Sequence, residues 1–284
     1  MHNNPSYVRV FATFLRNSLV RDMTFRSNFI IESISSLAWV FMNLGFYTLI
    51  FMHADEIGKG TGWGQYEFFV FLATTMFVNS LVQAFFMPNA EEFSELIRTG
   101  NLDFALLKPI DTQFLISFNK MNWSQLSTFA TGLGLLVFSL WKLSTRPVNA
   151  LSFSPVSVIL YPFFILCGVL ILYSLMITLA ASSVWLGRNQ SLYNFWFYIT
   201  NFSRYPMEIY GGPYGTPLRH FFTFIIPVLV VVNVPARILT RPIRPEQLWE
   251  WQLSLFALFA TLLSLLFSRW VFTRALLSYR SASS

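Results

Sequence analysis

Charged residues are scarce in this chain. Asp, Glu, Lys and Arg make up 11% of its 284 residues, whereas a soluble domain carries about a quarter. Hydrophobic residues reach 55%, and apolar runs of about 20 residues recur along the sequence. These run lengths disfavour a soluble all-α protein with a large core, and they predict an all-α integral membrane protein.

Cysteine and histidine are equally rare. Cys167 is the only cysteine, so no disulfide can form within the chain, and His2, His53 and His220 are scattered. No cluster has the spacing of metal ligands, so we predict no metal site. The net charge of +6 indicates basic cytoplasmic flanks and contact with membrane lipid rather than binding of nucleic acid.

The motifs of energy-using enzymes are also missing. The sequence has no Gly-x-x-x-x-Gly-Lys-Ser/Thr loop, because Gly58-Lys59-Gly60 is too short a match, and it has no Gly-x-Ser-x-Gly nucleophile. Only Glu32 and Glu67 lie near the ends of apolar runs, so no proton relay is predicted. We therefore expect a chain that is not itself an enzyme and binds no cofactor.

The chain divides into three parts. Residues 1–28 carry four arginines and place Val8, Phe11, Leu15, Leu19 and Met23 on one helical face, which predicts an amphipathic helix at the cytoplasmic membrane interface. Residues 29–272 form a predicted six-helix transmembrane domain, and residues 273–284 form a cytoplasmic tail.

The apolar runs number seven, but the basic N- and C-terminal regions both favour the cytoplasm, which requires an even number of crossings. Pro227 and Pro235 interrupt the run 221–239, so we predict that 210–240 is a re-entrant segment on the outer side, before the last helix. The predicted spans are 29–52, 66–87, a third from within 114–123 to about Trp141, 156–186 with a kink at Pro162, 192–209, and 249–270. A tight return is predicted at Arg188 and Asn189. This topology leaves several basic residues outside, namely Lys142, Arg146, Arg237, Arg241 and Arg244.

A charged island at 88–112 separates the second and third spans. Pro88 is predicted to end the second span, and Asn89 and Glu92 to form a capping box for a new helix. Gly100 would end that helix, and a second turn over 102–107 would stop before Pro109. Phe93, Leu96 and Ile97 would be exposed on an isolated loop, and Glu91 and Glu95 are like charges one turn apart. A partner protein that covers this face is one reading, and a solvated loop is the other.

The island carries a family resemblance. The run Arg98-Thr99-Gly100-Asn101-Leu102-Asp103-Phe104-Ala105-Leu106-Leu107-Lys108-Pro109 resembles the Arg-x-Gly-x-Leu-Asp-x-x-Leu-Leu-Lys-Pro motif of one branch of the ABC-2 type permeases, the membrane subunits of bacterial ABC exporters. The runs 202–206 and 226–236 are similar to the same branch.

The resemblance implies a permease that moves an amphipathic, lipidic or drug-like substrate across the bacterial inner membrane. Two copies of a separate ABC ATPase would hold ATP and Mg, and the second permease would be another copy or a paralogue. The island would be the coupling helix that docks on the ATPase. Its implied contact residues are Glu91, Glu92, Phe93, Glu95, Leu96, Arg98, Gly100, Leu102, Asp103, Leu106, Lys108 and Pro109.

The resemblance also implies an outer gate formed by Arg204, Pro206, Pro227 and Pro235. Two other functions remain open from the residues alone. One is a structural or assembly membrane protein that transports nothing. The other is a lipid-modifying membrane enzyme, which would need a cluster of catalytic polar residues at one membrane face.

Overall fold

The computed structural model describes residues 6–58, 60–147, 151, 154–186, 190–241 and 248–279. Within these ranges the chain is nearly all helical and has no β-strand. The helices are, in chain order, α1 (Tyr7–Thr24), α2 (Arg26–Phe51), α3 (Gln65–Phe85), α4 (Met87–Thr99), α5 (Leu102–Leu106), α6 (Thr112–Phe118), α7 (Gln125–Ser144), α8 (Pro155–Ala181), α9 (Ser183–Leu186), α10 (Gln190–Asn201), α11 (Gly212–His220), α12 (Val228–Thr240) and α13 (Leu248–Ser278). The predicted return at Arg188 and Asn189 lies outside the described residues, as do Lys59, Arg244 and Arg280.

Five described helical segments are long and apolar enough to cross a membrane. They are Arg26–Phe51, Gln65–Thr99, Gln125–Ser144, Pro155–Leu186 and Trp251–Ser278, and a sharply bent pair, Gly212–Ile225 with Val228–Thr240, is a sixth candidate. The chain is therefore a multi-pass membrane protein with five to six candidate spans. Helix α8 continues through Pro162, and α13 continues to Ser278, beyond the predicted start of the tail.

The third span begins at Gln125, so the prediction that it begins within 114–123 is wrong. Helix α6 ends at Phe118, and the following backbone is bound to α1 instead of continuing as a helix. The Met121 amide donates to Oγ of Ser18 (3.0 Å), and the Trp123 amide donates to Oδ2 of Asp22 (3.1 Å). These bonds fasten the N-terminal helix to the bundle.

The bundle has an island end and a far end. The island end holds α1 and residues 88–123, and the far end holds the loop 53–64. The Asp111 amide donates to the Tyr7 hydroxyl (3.4 Å), and Tyr279 lies beside Asp103. The first and last parts of the described chain therefore lie at the same end.

The predicted fifth span, 192–209, is an interrupted segment and not one continuous helix. Helix α10 ends at Asn201, and two single-turn 3-10 helices, Phe202–Arg204 and Met207–Ile209, follow on either side of an extended Tyr205. Pro206 lacks the amide that a continuing helix would need. The chain nevertheless reaches the far end, since a Cβ built at Gly58 would lie 3.8 Å from Cγ1 of Ile209.

The segment 212–240 enters the bundle and turns back. Helix α11 continues into a π-helical turn, Phe221–Ile225, and an 88° bend at Ile226 and Pro227 leads into α12. The far end holds both limits of this segment, because Arg241 donates to the Thr61 carbonyl (2.6 Å). Every residue of α12 is buried, and the helix packs on α3 and α8.

Pro235 does not break α12, contrary to the prediction that both prolines interrupt the run. Its missing amide leaves the Val231 carbonyl without the usual helical donor. That carbonyl lies against Gly168 of α8, where an added Cβ would come within 2.7 Å of it. The close approach of the two helices therefore requires glycine at position 168.

Three arginines of the far end are paired with carboxylates within the bundle. Arg146 makes two hydrogen bonds to Glu67 (2.6 and 3.2 Å), and Arg237 pairs with Glu208 (2.6 Å). Arg241 lies 3.5 Å from the same carboxylate and 5.3 Å from the ring of the fully buried Trp63. Charges paired in this way carry little information about which side of the membrane they occupy.

Candidate functional site

The island begins as an almost direct continuation of α3. Only Phe86 separates α3 from α4, and Pro88 lies in the first turn of α4, where a helix loses no bond to its missing amide. Pro88 therefore helps to start α4, while the predicted cap residue lies inside the helix. The predicted capping box of Asn89 and Glu92 is wrong.

Asn89 instead joins α4 to the chain after α6. The side chain is 2% exposed. Its Nδ2 donates to the carbonyls of Phe85 (2.6 Å), Ser117 (3.1 Å) and Lys120 (2.7 Å), and its Oδ1 accepts from the Lys120 amide (2.8 Å). One buried amide thus satisfies backbone groups on two sides of the island, and it fixes how the island leaves the bundle.

Gly100 ends α4, as the sequence predicts. Its φ of 72° lies in the left-handed region, and its amide donates to the Ile97 carbonyl (3.3 Å). A side chain at this position would add strain. The turn directs the chain into α5 within two residues.

The burial of two predicted contact residues corrects the sequence interpretation. Phe93 and Leu102 are both 0% exposed, and the Phe93 ring packs on Phe272 of α13 with ring centroids 5.5 Å apart. Leu96 is half-buried. The apolar face of α4 is covered by this chain's own bundle, so it gives no sign of a partner protein, and Phe93 and Leu102 have no surface with which to contact one.

The exposed apolar surface lies on α5 and directly after it. Phe104 is 69% exposed, Leu106 40% and Leu107 80%; these three residues are called the exposed ridge below. The sequence analysis missed Phe104 and Leu107. The available signal was the spacing of Leu102 and Ala105, which turn one face of a short helix inward and leave positions 104 and 107 facing outward.

Charged groups surround the ridge. Lys108 and Glu91 are exposed, and the Arg98 guanidinium donates from Nε to Oε2 of Glu95 (2.8 Å). Glu92 is already engaged within the chain, since it pairs with Lys120 (2.8 Å). Of the predicted polar contacts, those exposed to another protein are Glu91, Glu95, Arg98 and Lys108.

A recess of about 300 Å³ lies between α4, α5 and α6, next to the ridge. Its walls include Phe104 and Lys108 from the ridge side, Glu92 and Leu96 from α4, and Ile116 from α6. The recess has a mixed apolar and charged lining. A protruding side chain of a second protein would find both kinds of contact there.

A hydrogen-bonded network connects the island to the membrane helices. Arg269 of α13 donates to Oδ2 of Asp111 (2.6 Å) and to Oε1 of Gln113 (2.9 Å). Gln113 and Ser117 both bond to the Tyr173 hydroxyl of α8 (3.0 and 2.8 Å). Partial burial would raise the pKa of Asp111, but hydrogen bonds from Arg269 and the Phe114 amide outweigh it, and the pKa is lowered.

The residues assigned to an outer gate lie away from the island. Arg204 is exposed, Pro206 is buried between the two 3-10 turns, and Pro227 lies at the 88° bend. The structure therefore separates the two groups of predicted residues. Among the described residues, no group of three or more His, Cys, Asp or Glu side chains could hold a metal ion.

Comparison with known families decides the class of the chain. The family model described as ABC-2 family transporter protein matches residues 37–283. The chain belongs to the ABC-2 transporter family. The match confirms the resemblance noted from the sequence, and it includes the island, the bent segment and the last helix. The more specific branch motif from Arg98 to Pro109 stays a prediction.

Searches of curated proteins and of solved structures found no match. Membership of the ABC-2 family gives the chain the character of a membrane transport component, associated with an ABC ATPase and typically with a second permease. The chain is therefore a transmembrane permease component of an ABC transporter.

Proposed function

We propose that this ABC-2 family chain is the permease subunit of an ABC exporter in a bacterial inner membrane. It moves an amphipathic, lipidic or drug-like substrate, and two copies of a separate ATPase subunit, which hold ATP and Mg, drive it. The second permease is another copy of this chain or a paralogue. The family membership supports the transport class, and the geometry of the island supports the manner of coupling.

The island end is the cytoplasmic side in this proposal. Arg9, Arg16 and Arg26 lie there on and beside α1, and Arg274 lies near the end of α13. Positive charge near the ends of membrane segments favours the cytoplasm. Three arginines of the far end are paired with Glu67 and Glu208, so their charge opposes this orientation less.

The exposed ridge carries the proposal. Phe104 and Leu107 protrude into solvent from a helix whose other face is buried, and exposed charged side chains flank them. An apolar centre within a polar rim is the usual arrangement of a protein docking site. The recess beside the ridge and the network through Asp111 and Arg269 connect such a docking site to α8 and α13.

The docking role predicts a specific effect of Leu107→Ser. The variant removes an anchor that is 80% exposed, so it should fold normally. Loss of an interface anchor costs about 2 kcal/mol, which corresponds to roughly thirtyfold weaker association with the ATPase subunit. The measurement is the affinity of the detergent-purified permease for its ATPase, together with the ATP hydrolysis of the reconstituted complex.

Leu255→Ser is the matched control. Leu255 is 63% exposed, and it lies about 21 Å along α13 from Arg269, the α13 residue that bonds to the island. We expect this variant to retain association with the ATPase. Equal affinities for the wild type and Leu107→Ser would contradict the docking role of the ridge.

A further inference from the structure

A polar cavity runs along the membrane helices and is separate from the island. It measures about 390 Å³ and lies between α2, α3 and α7. Its polar lining includes Ser35, Asn43, Asn79, Gln83, Thr128 and Arg204. Polar side chains that share one cavity within apolar helices are costly to keep in a membrane and mark a pathway or a binding site.

The cavity has two different ends. Gln83 comes from the last turn of α3 before the island, so that end lies close to the island. Arg204 and Tyr47 line the opposite part, and the two side chains are close enough to interact electrostatically. Apolar residues of α2 and α3, including Trp39 and Met76, complete the wall. The lining thus combines a cation, uncharged polar groups and apolar surface.

Arg204 differs in its partners from the three paired arginines of the far end. Arg146, Arg237 and Arg241 each face a carboxylate. Among the described residues, no carboxylate lies within ion-pairing distance of Arg204; its guanidinium lies 5.6 Å from the centroid of the Phe197 ring. An aromatic ring holds a guanidinium without neutralising it, so Arg204 keeps its charge available at the cavity.

We propose that this cavity binds the anionic group of an amphipathic ligand. Arg204 contacts a carboxylate, phosphate or sulfonate, the amides and hydroxyls of α2, α3 and α7 bind polar parts, and Trp39 and Met76 contact the apolar body. The identification of the ligand as a transported amphiphile rests on the proposed transport function. The same chemistry would also suit an anionic lipid of the bilayer.

The test measures binding to the full-length chain without any ATPase, in nanodiscs of phosphatidylcholine. The anionic probe is dansyl-aminoundecanoic acid, and the cationic probe is the same dansyl–alkyl body with a terminal ammonium. Fluorescence anisotropy should show preference for the anionic probe. Arg204→Gln should weaken its binding by about tenfold through loss of one charge-assisted contact, and Arg204→Lys should restore much of the affinity.

Arg219→Gln is the matched control, because Arg219 of α11 also lacks a described carboxylate partner and does not line the cavity. This variant should bind the anionic probe like the wild type. Equal binding by the wild type and Arg204→Gln, or equal binding of the two probes by the wild type, would overturn the inference. A change from dimer to monomer in Arg204→Gln would overturn it too, because Arg204 would then be a contact between subunits.

A further measurement distinguishes the two possible sources of the anion, a transported amphiphile and a bilayer lipid. The absence of the ATPase also distinguishes the anion site from the docking role of the ridge. Adding phosphatidylglycerol to the nanodiscs should leave probe binding unchanged if the ligand is a transported amphiphile. Displacement of the probe in the wild type, but not in Arg204→Gln, would support the anion site and assign it to bilayer lipid. These measurements omit the ATPase. The anion site can therefore be disproved while the ridge is shown to bind the ATPase, and the anion site can be supported while the ridge is shown not to bind it.

Discussion

Asn89 shows how much of the island depends on a single buried amide. Its four hydrogen bonds satisfy carbonyls and an amide that no helix serves, on both sides of the island. The sequence suggested a surface cap because asparagine precedes a helix-like acidic run. A local pattern could not show that residues 117–120, far along the chain, would return to the same amide.

Asn89→Leu should therefore destabilise the chain strongly. The substitution keeps the volume but leaves buried backbone groups unpaired, which costs about 3 kcal/mol. Asn43→Leu is the control, because among the described residues Asn43 bonds to the Trp39 carbonyl of its own helix (2.7 Å) and to no other helix. Thermal unfolding in detergent should show a large fall in Tm for Asn89→Leu and a small one for Asn43→Leu. Similar shifts would show that the Asn89 bonds contribute little.

At the scale of elements, apolar run length predicted α2, α3 and α8 well. Their bounds lie close to the predicted 29–52, 66–87 and 156–186, since a long apolar run in lipid has little alternative to a helix. The segment 192–209 was predicted less well, because length alone does not show whether Arg204 and Pro206 can be accommodated in a helix. The buried face of α4 was missed for a similar reason: only tertiary packing places Phe93 on Phe272.

The bent segment should not cross the membrane. Ile209 and Arg241 both lie beside the loop 53–64, and α12 is buried along its whole length. In a Cys167→Ala background, single cysteines at positions 214 and 245 should be labelled by an impermeant maleimide from the same, outer side. Labelling from opposite sides would show that 212–240 crosses as one broken span.

For the whole molecule, the structure arranges three features along one axis. The exposed ridge lies at the island end, the network through Arg269 connects it to α8 and α13, and the bent segment lies toward the far end. Composition predicted a membrane protein, the missing phosphate loop predicted a chain that does not hydrolyse ATP itself, and the family resemblance implied an external ATPase. The sequence alone could not place the docking surface, because the difference between the buried Leu102 and the exposed Leu107 arises from folding.

The most direct measurement of the coupling proposal is site-specific crosslinking in the assembled complex. A photo-crosslinking amino acid at position 107, on the ridge, and one at Tyr214, which is 89% exposed on α11, report on opposite ends of the bundle. The proposal predicts a crosslink from position 107 to the ATPase subunit and none from position 214. A complex that hydrolyses ATP but gives no crosslink from position 107, or that gives one from position 214, would contradict it.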